Sequence, residues 1–199
     1  MSNLRLGILG STRGTDMLAI IAAIQKKELA ASIEIVVSNK SDAEILTKAQ
    51  SYEIPALYLD PKTMGRNEYD KNISALMQKN KIDFIILIGY MKILSPTFVA
   101  TWRDKIINVH PSLLPAFAGG MDQDVHQAVI ASGATVSGCT VHYVTEDIDA
   151  GPILIQKSCA VHPGDTPDIL KLRVQDLEGK ALVEAIATIA AASHAAVII

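Results

Sequence analysis

"DFIILIGYMKILSPTFVATWRDKIINVH", residues 83–110, is where the fold can be read. It holds two nearly unbroken apolar runs, "FIILI" and "II", and between them "SPTFVATW", which fits a short helix with proline near its first turn. Strands that are apolar on both faces and joined through a helix are parallel and covered on both sides. Upstream, "LRLGILG" at 4–10 reads as a strand, "STRG" as a turn, and Thr15 to about Lys27 as a helix. "SIEIVVSN" gives a second strand, and Ser41-x-x-Glu44 after it has the form of a capping box. "PALYLD" is a third strand, followed by a helical pattern from Asn67 to Asn80. "DFIILIGY" and "KIINVH" are then the fourth and fifth strands. Such alternation builds a doubly wound, Rossmann-like α/β sheet.

Downstream the pattern changes. "TVSGCTVHYV" and "GPILIQKSCAV" are strands joined by a short acidic loop, too short for a parallel crossover, so this pair is expected to be antiparallel. A long helix from about Thr166 closes the chain. No repeat, low-complexity tract or linker interrupts it, and 1–199 is expected to form a single domain.

Hydrophobic content of 49% with 20% charge belongs to a globular protein, and a net charge of −3 with a pI near 5.9 speaks against a general nucleic-acid binder. Cys139 and Cys159 are expected to be free thiols in a reducing cytoplasm. The apolar run near the start is too short for a signal peptide. The apolar tail from Ala181 to Ile199 is alanine-rich and carries Glu184, so a buried or subunit-facing helix is expected rather than a membrane anchor.

Three stretches carry candidate chemistry. Asn108 and His110 lie two apart on the fifth strand, so they face the same way at its carboxyl end, where open α/β sheets bind ligands. An amide donor and an imidazole together suit a developing oxyanion; the alternative is a strand-end turn with a satisfied histidine. "TEDIDAGP", 145–152, brings Glu146, Asp147 and Asp149, one of which would raise the pKa of His110 if it lay beside it; the alternative is a solvated acidic hairpin. "GSTRGTD", 10–16, joins a strand to a helix, and helix-start amides bind phosphate. It is neither a P-loop nor a G-x-G-x-x-G fingerprint, and a plain tight turn is the alternative.

Taken together, "NVHPSLLPAF", "GYMKILSP", "GCTVHYVTEDIDAGPIL" and "VQDLEGKAL" resemble the folate-dependent formyltransferases, in family order and over nearly the whole chain. The resemblance implies transfer of the formyl group of 10-formyltetrahydrofolate to the amine of glycinamide ribonucleotide, with no metal required. It implies Asn108 and His110 as oxyanion stabilisers and Asp149 as the group that tunes His110 and moves protons. Ser11, Gly14, Thr15 and Asp16 would line the phosphate site, with Gln175 and Glu178 near the ribose or phosphate. Arg66, Met91, Lys92, Ile93 and Leu94, with Thr145, Glu146, Asp147 and Ile148, would hold the folate. A side chain at Gly14 is expected to block the phosphate.

Two features depart from the family pattern: Gly14-Thr15-Asp16 stands where Gly-Ser-Asn is usual, and "AFAGGMDQDVHQAV" runs longer, so His126 receives no role. A formyltetrahydrofolate hydrolase shares the same core but normally adds an N-terminal domain, which is not expected here because the first strand begins at residue 4. Methionyl-tRNA formyltransferase adds an arginine-rich loop and a C-terminal domain that the chain does not show. The expected partners are therefore small molecules, with no nucleic acid and no membrane, acting on a cytoplasmic monomer or homodimer.

Overall fold

The computed structural model describes residues 3–120 and 123–196. Strands β1 (Leu4–Gly10), β2 (Ala31–Ser38), β3 (Ala56–Tyr58), β4 (Phe84–Ile88), β5 (Ile106–His110), β6 (Val136–Tyr143) and β7 (Ile153–Ala160) form one sheet in the order β3-β2-β1-β4-β5-β6-β7. The first five are parallel, whereas β6 runs antiparallel to β5 and β7 to β6, the latter as the short β6–β7 connection predicts. The helices are α1 (Thr15–Gln25), α2 (Glu44–Ser51), α3 (Arg66–Lys79), α4 (Pro96–Thr101), α5 (Gln123–Ala131) and α6 (Pro167–Ala196).

Period-two alternation sorts the core into two layers. Ile86 and Ile88 of β4, with Ile107 and Val109 of β5, join Met17 of α1, Val129 of α5 and Leu182 of α6 on one face. Ile85 and Leu87, with Ile106, meet Tyr69 and Met77 of α3 and Phe98 of α4 on the other. Helix α6 lays Ala181, Leu182, Ala185, Ile186, Ile189 and Ala190 of the apolar tail into the first layer; residues 197–199 lie outside the described region. Among the described residues no helix is long and apolar enough to cross a membrane.

Two local expectations need correction. Helix α2 starts at Glu44 with Ala43 as its N-cap and no side-chain cap, so the Ser41-x-x-Glu44 pattern does not form a capping box. Helix α5 is an element beyond those expected from the sequence.

The topology creates the site. β2 and β3 lie on one side of β1, and β4 lies on the other, so the connections after β1 and β4 diverge from a switch point at their carboxyl ends. Ser11 secures that point: its N–H donates to Gly89 O at 3.2 Å, and its hydroxyl accepts from Met91 N–H at 2.8 Å and donates to Asn39.

Candidate active site

A cavity of about 300 Å³ opens at this carboxyl edge. Asn108 and His110 line it beside Asp149, which arrives on the β6–β7 connection. The antiparallel register adds a residue that the sequence reading missed: His142 of β6 pairs directly with Asn108. Register is set by packing and turn geometry, so the residue opposite Asn108 could not be named from one sequence. The one signal was its place as the last residue of its face of β6, two residues beyond Thr140.

Four side chains form a connected array. His110 Nε2 donates to Phe117 O at 3.0 Å, because a carbonyl can only accept, and its Nδ1 then faces Asp149 Oδ2 at 3.3 Å. By the same reasoning His142 Nδ1 donates to Tyr143 O at 2.9 Å. Its Nε2 stands 3.2 Å from Asn108 Nδ2 and 3.5 Å from Asp149 Oδ1. In the neutral rings, the nitrogens that face Asp149 therefore carry no proton. The array is built to take one up and hold it between a histidine and the carboxylate. Asn108 donates one amide N–H to His142, and its second remains for a ligand.

Electrostatics set the resting state. Burial lowers the pKa of His110 below its ordinary value, and Asp149 and the Phe117 carbonyl only partly oppose it. Asp149 raises the pKa, as expected of a carboxylate beside the ring, but the ring is 3% exposed and desolvation outweighs the carboxylate. Burial also pushes the Asp149 carboxyl upward. The Asp149 carboxyl nevertheless lies below the usual carboxylate range, held there by the hydrogen bond and charge it gains from His142 once that ring is protonated, by Gly119 N–H donating at 2.8 Å, and by the charge of His110 in its protonated form.

Backbone geometry aims these groups. Phe117 (φ 58°) and Asp149 (φ 53°) are non-glycine residues in the left-handed region, a conformation that costs on the order of 1–3 kcal/mol and collects at functional sites. The loop after β5 is held by polar bonds: Thr140 Oγ1 donates to Ser112 O at 2.7 Å and accepts from Leu114 N–H at 3.0 Å, while Gln156 Nε2 donates to Leu114 O at 2.9 Å. Gly151 presses the Asp149 loop onto β6, where a Cβ would stand 1.8 Å from Tyr143 O. Gly151→Ala should therefore displace Asp149, costing about 1–3 kcal/mol of stability and lowering kcat. Chemical denaturation and steady-state rates on the same preparation check both.

The remaining expected site residues divide. Gly14, Thr15, Asp16, Gln175 and Glu178 line the cavity from the start of α1 and from α6, which pack together, and Met91, Lys92, Ile93, Leu94, Thr145, Glu146, Asp147 and Ile148 line it from the β4–α4 and β6–β7 connections. Ile93 (54% exposed) and Ile148 (56%) offer two bare apolar side chains on those connections. Ser11 and Arg66 are not among the lining residues. Ser11 is occupied by the loop bonds described above, and Arg66 Nη2 donates to Leu94 O at 2.5 Å, bracing the 91–94 segment from behind. His126 of α5, 1% exposed, joins the lining. Gly14 has φ 65°, and a Cβ there would meet Ile45 Cγ1 at 2.4 Å. A substitution at Gly14 therefore strains the fold before it tests phosphate binding.

Asp16 sits in the first turn of α1, which no side chain caps. Burial pushes its carboxyl up to about 7 from 3.8. The folded protein then holds a proton that the unfolded chain has released, so stability is greatest below about pH 4 on this account and falls as pH rises towards 7. Asp16→Asn removes this dependence. Its stability advantage over the native chain should grow by on the order of 2 kcal/mol between pH 5 and pH 8 in urea unfolding; an unchanged gap would contradict it.

Among the described residues no group of three or more His, Cys, Asp or Glu side chains is arranged to hold a metal ion. An amide donor beside a His–Asp–His proton array, at the carboxyl edge of a doubly wound sheet, has the parts of an acyl-transfer site. The chain belongs to the formyl transferase family, whose model matches residues 4–186. It is 37% identical to a phosphoribosylglycinamide formyltransferase from Haemophilus influenzae over 87% of this chain and 81% of that protein. A trifunctional purine biosynthetic protein (adenosine-3) of Gallus gallus is 39% identical over 95% of this chain, which spans only 19% of that relative's length. A crystal structure of glycinamide ribonucleotide transformylase 1 from Symbiobacterium toebii superposes with a TM-score of 0.92 at 32% identity, covering 96% of this chain and 89% of that one.

Proposed function

We propose that the protein transfers the formyl group of 10-formyltetrahydrofolate to the amine of glycinamide ribonucleotide, a step of purine biosynthesis. The observation that carries this reading is the array of Asn108, His110, His142 and Asp149 inside one cavity that is also lined by the start of α1 and by the exposed apolar side chains of Ile93 and Ile148. The relatives' names supply the acceptor and the group transferred, and the resemblance to the folate-dependent formyltransferases supplies the donor.

The folate brings a formyl group already activated for attack. The free N–H of Asn108 is positioned to donate to the formyl oxygen as it gains charge. An amine that attacks a carbonyl must lose a proton, and the departing folate nitrogen must gain one. The unprotonated nitrogens around Asp149 can receive the first and return the second, so no net proton leaves the site. Gly14, Thr15 and Asp16 at the start of α1 suit the ribonucleotide phosphate, and Gln175 and Glu178 suit its ribose. The slot between Met91–Leu94 and Thr145–Ile148 suits the flat pterin and benzoyl rings, with Arg66 holding one wall.

We take residues 1–199 as one formyltransferase domain acting on small molecules in the cytoplasm, as a monomer or homodimer and without a metal. The test is product analysis. Incubation with glycinamide ribonucleotide and formyl-labelled folate should place the label on the ribonucleotide, as read by mass spectrometry. Label recovered only as formate would refute the assignment and favour a hydrolase.

A further inference from the structure

Asp16 is buried, with 8% of its surface exposed, and its Oδ1 has no hydrogen-bond partner, yet the residue lines the cavity at the uncapped start of α1. We propose that Asp16 is a specificity-determining residue that binds the substrate's phosphoryl group as the neutral carboxylic acid, so that ligand binding takes up a proton. The inference rests on the ribonucleotide reading given above and adds to it a charge rule for this part of the site.

The first amides of a helix have no partners within it, and they favour an anion. An ionised Asp16 would compete with a phosphate for the same field. Two unit charges about 4 Å apart at an effective dielectric constant near 20 disfavour each other by roughly a thousandfold in an equilibrium constant. A phosphomonoester dianion offers acceptors only, so a carboxylate has nothing to give it, whereas a carboxylic acid has one O–H to donate.

The surroundings support the neutral form. Glu178 of α6, 8% exposed, is a second acidic group lining the cavity. Cys139 of β6 is held as the thiol, its pKa pushed up to about 12 chiefly by burial. Arg13 before α1, His126 of α5 and Lys171 of α6 also line the cavity. Burial holds the Asp16 carboxyl near neutrality, so the proton is available at modest cost around pH 7.

The test is calorimetric titration of the full chain with glycinamide ribonucleotide and with ribose 5-phosphate, from pH 6.5 to 8.5, in two buffers of different ionisation enthalpy. A phosphomonoester's own second pKa lies near 6, so its titration is nearly complete above pH 7. Native protein should lose affinity about tenfold per pH unit above 7 and take up close to one proton per ligand at pH 8. Asp16→Asn, an isosteric neutral donor, should show a flat profile there and bind at least tenfold more tightly than native at pH 8.5. Parallel profiles for the two proteins, or binding to native protein without proton uptake, would overturn the inference and leave the substrate reading intact. Failure of both ligands to bind either protein would overturn the substrate reading and the inference together.

Discussion

Asn108→Ala is expected to lower kcat by about 10²–10³, the usual cost of removing one oxyanion donor, with little change in either KM. The amide's free N–H acts on charge that exists only after the amine has attacked, so its loss is felt in the transition state and not in the ground state. A second effect adds to the first. The other N–H of Asn108 meets His142 Nε2 at 3.2 Å, and without it that nitrogen faces Asp149 with no donor between them. Losses at Asn108 and His142 should therefore be less than additive, as expected for residues that act as a unit. A KM increase at constant kcat would show that Asn108 only binds substrate.

Asp149→Asn should reduce kcat and move the acidic limb of the pH–rate profile to lower pH. The sign follows from the balance at His110. Burial lowers its pKa, and Asp149 is the largest influence opposing that. Removing the carboxylate leaves burial less opposed, so His110 becomes harder to protonate and the form able to accept the amine's proton persists to lower pH. The array titrates as a coupled group, so the limb reports the set of residues and not His110 alone. If Asp149 only shaped its loop, the variant would melt at lower temperature and keep its profile. Melting curves and kcat against pH on the same variant separate the two roles.

These expectations depend on groups that differ in how plainly the sequence shows them. Asn108 and His110 were legible because a strand has period two and the chain breaks at Pro111, so both had to share a face at a carboxyl end. The antiparallel β6–β7 pair was legible from the length of its connection. The role of His142 was not, because it depends on the register Asn108↔His142, a tertiary property. The sign of the His110 shift was hidden for a related reason: it turns on how deeply the ring is buried, and no local pattern reports that. Ser11 and Arg66 had the right chemistry to be ligands. Ser11 is instead held by Asn39 and the Met91 N–H, and Arg66 by the Leu94 carbonyl, contacts set by the meeting of distant loops.

The central claim is that the proton array serves an amine and not water. Single-turnover release of tetrahydrofolate from 10-formyltetrahydrofolate, followed by absorbance with and without glycinamide ribonucleotide, tests it most directly. Release should be fast with the ribonucleotide and slower by orders of magnitude without it, since only the bound amine places a nucleophile and its proton against the array. Equal rates in the two experiments would contradict the account and identify the site as a hydrolase's.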